Sequence, residues 1–146
     1  MAKVYSLTTV SVIITNEIFG QITIGGPGKL VGSVKYDYDG DAFSIDTTPD
    51  GGYVTNYNNS KCGWVEIDIK QTSSHIAELT DFINWCRSNP SNAASTIKIT
   101  DALGNIACSG AGAYPSKIPG NTVGESASDR TFRFIVGELN SEETGI

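Results

Sequence analysis

The chain has 146 residues and 15.5 kDa, enough for one domain with a core of its own and too short to call for a second. Sixteen acidic against ten basic residues give a net charge of −6, which argues against tight binding to phosphate backbones. Only 18% of residues are charged, and an uncharged remainder rich in Gly, Ser, Thr and Asn favours strands and turns over helices.

No uninterrupted apolar run approaches the length of a membrane span, and Met1-Ala2-Lys3 leads straight into an alternating segment. The expectation is no membrane insertion and residence where the chain is made. Cys62, Cys86 and Cys108 are odd in number and far apart, so they are expected to be reduced, mostly buried and structural.

Val4 to Ile14 and Ile18 to Ile24 are rich in Val, Ile, Thr and Tyr around Thr15-Asn16-Glu17, a pattern that predicts an opening β-hairpin. Gly25-Gly26-Pro27-Gly28 predicts a loop. Its composition is similar to that of a phosphate-binding loop, but the Walker spacing is missing and Leu30 stands where magnesium would need Ser or Thr. Between Val34 and Tyr57, aromatic residues recur among Asp, Gly, Asn and Pro, which reads as two short strands flanking an extended loop. Asp37-Tyr38-Asp39-Gly40-Asp41 lacks the spacing of an EF-hand and reads as a solvated acidic loop. Asn58-Asn59-Ser60 has the form of a glycosylation sequon, and without a leader it is expected to be a polar loop.

Trp64 to Lys70 alternates, with Val65, Ile67 and Ile69 on one face, and predicts a half-buried strand. One helix is predicted next, capped by Ser74, ended by Asn89-Pro90, and carrying Ile76, Leu79, Phe82, Ile83 and Cys86 as an apolar stripe. The single histidine, His75, is expected on the surface at its start; a Ser-His-Asp arrangement with Ser73 or Ser74 would be poorly aimed. Thr96 to Thr100 and Ile106 to Tyr114 predict a second hairpin about Asp101-Ala102-Leu103-Gly104-Asn105. The returning strand is built of residues so small that another backbone can approach it. Thr131 to Val136 predicts the last strand, followed by a polar tail over about 140–146, expected to be flexible before assembly.

The pattern predicts a mostly β (α+β) single domain over 1–146, an antiparallel sandwich or barrel with one flanking helix. A long loop over about 38–62 exceeds an ordinary hairpin connection. No constellation for catalysis, cofactor or metal stands out, although a carboxylate pair could arise from distant residues. The tyrosines and Trp64 fit a core, an interface or a sugar-binding surface. A calcium-dependent carbohydrate-binding sandwich and a two-carboxylate hydrolase are the readings that compete with an assembly protein.

Taken in order, several segments resemble the tail tube proteins of contractile-tailed bacteriophages: Lys3-Val4-Tyr5-Ser6, Val10-Ser11-Val12-Ile13-Ile14, Asp41-Ala42-Phe43, Ile69-Lys70-Gln71-Thr72-Ser73, Ile99-Thr100-Asp101-Ala102-Leu103-Gly104 and Asp129-Arg130-Thr131-Phe132. The match runs along nearly the whole chain, each piece being short. The loop Ser44 to Tyr53 is less charged than the resemblance implies, and Pro115-Ser116-Lys117-Ile118-Pro119 lacks a tryptophan.

The resemblance implies hexameric rings stacked into a tube that conducts DNA during ejection, with sheath, baseplate and tape-measure proteins as partners. It places the protein in the virion tail, assembled in the host bacterial cytoplasm. The tubes of bacteriocins and of type VI-like secretion systems share the fold. Ring closure would also pair the exposed strand edges, and acidic side chains in the lumen would let DNA slide. Tyr36, Tyr38, Asp39, Phe43, Tyr53 and Tyr57 are the expected contacts between subunits.

Overall fold

A computed structural model describes residues 6–145, apart from the side chain of Thr8. The Lys3-Val4-Tyr5 start lies outside the described residues.

Seven strands make one antiparallel sheet: β1 (Val10–Asn16), β2 (Gly20–Gly25), β3 (Val31–Tyr38), β6 (Gly63–Lys70), β7 (Ser95–Asp101), β8 (Ile106–Pro115) and β9 (Asp129–Asn140), in the order β2-β1-β7-β8-β9-β6-β3. Two further strands, β4 (Phe43–Thr47) and β5 (Tyr53–Tyr57), pair only with each other. The helix α1 (His75–Ser88) links β6 to β7. This is the expected mostly β domain with one helix.

Strands β2 and β3 are the two edges of the sheet, yet only residues 26–30 connect them. A flat seven-stranded sheet would hold its edges about 29 Å apart. A six-step link of extended chain spans about 21 Å at most. The sheet must therefore curl. The Tyr36 hydroxyl of β3 accordingly reaches the Ala107 carbonyl of β8, three strands away, at 3.2 Å.

The curl encloses one core. Val12 and Ile14 of β1, Val65, Ile67 and Ile69 of β6, Ile97 and Ile99 of β7, and Phe132, Phe134 and Val136 of β9 all point into it. The helix adds Leu79, Phe82, Ile83 and Cys86. Phe82 links Phe19, with centroids 5.2 Å apart, to Phe134 at 6.4 Å. The buried alternation of β6 is the one its sequence predicts.

Several expectations need correction. Among the described residues the first strand begins at Val10 and does not run on through 6–9, because both the Thr9 amide and its hydroxyl bond the Ser6 carbonyl and close a 3₁₀ turn over Leu7–Thr9. Asn16, read as a turn residue, ends β1 and is 3% exposed. Its side-chain Oδ1 accepts from the Ile18 and Phe19 amides, and its side-chain Nδ2 donates to the Asn92 carbonyl and Ser95 hydroxyl, tying the first hairpin to the entry of β7.

Ser74 makes no side-chain cap. Ser73 takes that part: its hydroxyl accepts from the His75 amide and donates to the Lys29 carbonyl. The span expected to be an extended loop contains the β4–β5 hairpin. Both faces of this hairpin are exposed, so no core sets polar and apolar sides along its sequence. The segment after Asn140 lies along the molecule, the Thr144 amide donating to the Ile106 carbonyl and the Ile106 amide to the Thr144 hydroxyl.

Candidate functional site: an amphipathic hairpin outside the core

The β4–β5 hairpin is the part of the described chain that the core does not explain. The register pairs Phe43 with Tyr57, Ile45 with Thr55 and Thr47 with Tyr53, so these six side chains share one face. Ser44, Asn56, Asp46 and Val54 share the other, where the Asn56 amide donates to the Asp46 carboxylate at 2.7 Å. Among the described residues the apolar face covers nothing: Phe43 is 66%, Tyr53 70% and Tyr57 68% exposed, and Ile45 is open as well. Phe43 and Tyr57 lie against each other with centroids 5.1 Å apart.

A two-stranded ribbon by itself is marginally stable in water, so an aromatic face left open implies a surface that covers it. Local bonds shape the ends. At the tip Thr48 and the Gly52 amide bond Asp50, and the Thr48 bond, the larger influence, holds this carboxyl below its usual range. At the base the Asn58 amide donates to the Ala42 carbonyl, and the Asp39 amide to the Cys62 carbonyl.

Of the six residues expected to meet other subunits, Phe43, Tyr53 and Tyr57 lie on this open face, and Asp39 is exposed at its base. Tyr36 and Tyr38 are engaged within the chain. The Tyr36 hydroxyl bonds the Glu143 carboxylate as well as Ala107, while the Tyr38 hydroxyl donates to the Leu139 carbonyl and accepts from the Ser141 amide. The two tyrosines thus fasten edge strand β3 to the C-terminal segment.

Burial, and then the bond to Glu143, push the Tyr36 pKa up to about 12 from 10.0. The folded chain holds this phenol protonated more firmly than the unfolded chain does, so its contribution is complete below pH 10 and disappears as pH rises through about 12. Stability is expected to fall over that window, and Tyr36→Phe to flatten the fall; urea midpoints taken from pH 9 to pH 12 measure both. An equal slope in the variant would contradict the assignment.

His75 corrects the expectation of a surface histidine. It is 4% exposed, standing one helical turn before Leu79 on the buried stripe. Its Nε2 accepts from the Gly25 amide at 3.2 Å, so the ring proton resides on Nδ1, which faces Glu78 at 3.1 Å. His75 and Ser73 together clasp the two ends of the connection between the edge strands.

Cys86 and Cys108 are buried, and burial raises both thiols, Cys108 to about 11; Cys62 is exposed. Such buried thiols are poor nucleophiles. Among the described residues no group of three His, Cys, Asp or Glu side chains is placed to share a metal ion. On the outer face of the sheet Arg133 pairs with Glu66 at 3.0 Å and lies over the Trp64 ring, while Asp68 accepts from Ser33 and Thr131. These are partly exposed structural pairs of small individual worth.

No protein-family model and no curated protein matches the sequence. Solved structures do match. A chain of the cryo-EM structure of an extracellular contractile injection system, the PVC sheath–tube complex in its extended state, is 15% identical with a TM-score of 0.58, over 95% of this chain and 91% of that one. A chain of the six-fold symmetrised cryo-EM structure of the anti-feeding prophage baseplate is 9% identical with a TM-score of 0.52, over the whole of both chains. This chain therefore shares the fold of those chains, and the mostly β architecture with one helix implied by the sequence is the architecture found.

Proposed function

We propose that the protein is a structural subunit of a contractile-tail tube, working through contacts between copies and without catalysis. The observation that carries this reading is the exposed aromatic face of the β4–β5 hairpin, which packs against nothing among the described residues. In this reading six copies close into a ring, rings stack, and sheath, baseplate and tape-measure proteins complete the particle. The shared fold supports it.

In the phage form of the reading the lumen passes genomic DNA without binding it, in keeping with the net charge of −6, and the particle is the virion tail assembled in the host cytoplasm. A second form, the tube of a phage-derived injection system, is favoured by the kind of machine that supplies the matching structures. DNA inside purified particles separates the two.

Self-association carried by the hairpin is expected to weaken sharply when its apolar face is made polar. Sedimentation velocity over a concentration series should show large assemblies for the parent chain and monomer for Phe43→Ser with Tyr57→Ser, the two having nearly equal thermal stability. Both positions lie outside the core, which is why the monomer should tolerate them. Equal assembly by parent and variant would refute a hairpin-driven contact.

A further inference from the structure

Between the end of α1 and the end of β8 lies a groove of about 180 Å³. Its walls are Ile83, Cys86, Pro90 and Tyr114, and its rim carries Arg87 and Lys117. No carboxylate lines it, and neither cation has an ion-pair partner among the described residues. Tyr114 is 40% exposed there, and its neighbour in the sheet register, Ile135, is exposed beside it. An apolar cavity of about 150 Å³ admits a benzene ring, so this groove has room for a single aromatic side chain.

The hairpin has the opposite character. From residue 37 to residue 60 the chain carries Asp37, Asp39, Asp41, Asp46 and Asp50 and no Lys or Arg. Its distal end combines Tyr53, the first residue of β5, with Asp50 in the turn and with Asp46, which pairs with Val54 on the other face of the ribbon. One chain thus presents an exposed acidic, aromatic tip and an apolar groove rimmed by unpaired cations.

We propose that the groove between α1 and β8 receives the hairpin tip of a second copy, Tyr53 entering between Pro90 and Tyr114 while Asp46 and Asp50 meet Arg87 and Lys117. The two surfaces differ, so the contact is heterologous and repeats from copy to copy, generating a closed ring or a stack rather than a two-fold dimer. The assignment rests on the tube reading above and names the surface that its hairpin meets.

Charge reversal tests it. Arg87→Glu with Lys117→Glu, and separately Asp46→Lys with Asp50→Lys, should each raise the concentration needed for assembly at least about tenfold, because like charges then face each other. All four changes together should return it to near the parent value. All these side chains are exposed, and circular dichroism of each variant checks that the monomer is folded.

Restoration in the combined variant establishes the pairing. If the groove variant assembles like the parent, or if both halves fail and the combination does not recover, the groove is not the acceptor and the proposal is overturned. The Phe43→Ser, Tyr57→Ser chain reads the tube assignment separately: its failure to assemble keeps the hairpin as an interface even when the groove is lost, whereas its normal assembly overturns both.

Discussion

Phe134→Ala is expected to destabilise the monomer by about 3–5 kcal/mol, the range for removing a fully buried aromatic ring. Phe134 is 1% exposed on β9, between β8 and β6, and its ring lies against Phe82, through which the helix is seated on the sheet. The change leaves a cavity where strand and helix meet, and interior packing can collapse into it only partly. A urea titration should show a lower midpoint at unchanged slope, the sign of lost stability without lost compactness. A loss below about 1 kcal/mol, the typical cost of an average substitution, would mean that α1 does not rest on β9 as described.

Gly25→Ala is expected to cost about 3 kcal/mol or more, through two penalties that act together. Gly25 has φ of +129°, a region nearly closed to other residues, and a Cβ there would stand 2.4 Å from the Val10 carbonyl oxygen, which is backbone and cannot swing away. The same residue, at the end of edge strand β2, donates its amide to His75 at the start of the helix. Relieving the clash therefore loosens the pairing of β1 with β2 and the clasp on the helix together. Hydrogen exchange should show faster opening of β1, β2 and the start of α1, with β9 much less affected; uniform protection like the parent's would contradict this role of Gly25.

Much of the fold was legible because the core imposes periods on the chain. The alternation of β6, the Phe132 and Phe134 face of β9 and the spacing of the helix all announce burial on one side. What escaped was set by contacts between distant residues. His75 looks like a surface residue at a helix start until the register of the stripe is counted back from Leu79, and its acceptor role depends on Gly25, fifty positions away. Asn16 has turn chemistry in sequence, yet its burial comes from Asn92 and Ser95 closing over it.

The candidate site was half legible. Aromatic residues among aspartates marked the segment, but a hairpin exposed on both faces carries no signal from a core. The pairing of Phe43 with Tyr57 is what gathers the aromatics on one side. Tyr36 and Tyr38 share their composition but belong to the edge strand β3, and their bonds to Ala107, Glu143 and Leu139 require partners seventy or more positions further on. Composition could not divide those tyrosines into the two groups. The groove beside α1 left no local signal either, since Arg87 and Lys117 come together only when β8 is laid against the helix.

Negative-stain electron microscopy of the purified parent protein at high concentration, with sedimentation on the same sample, tests the central claim most directly. Rings or hollow tubes of uniform diameter are the predicted result. A monodisperse monomer at every concentration and salt condition would contradict the claim and return the exposed aromatic hairpin to the binding-module reading.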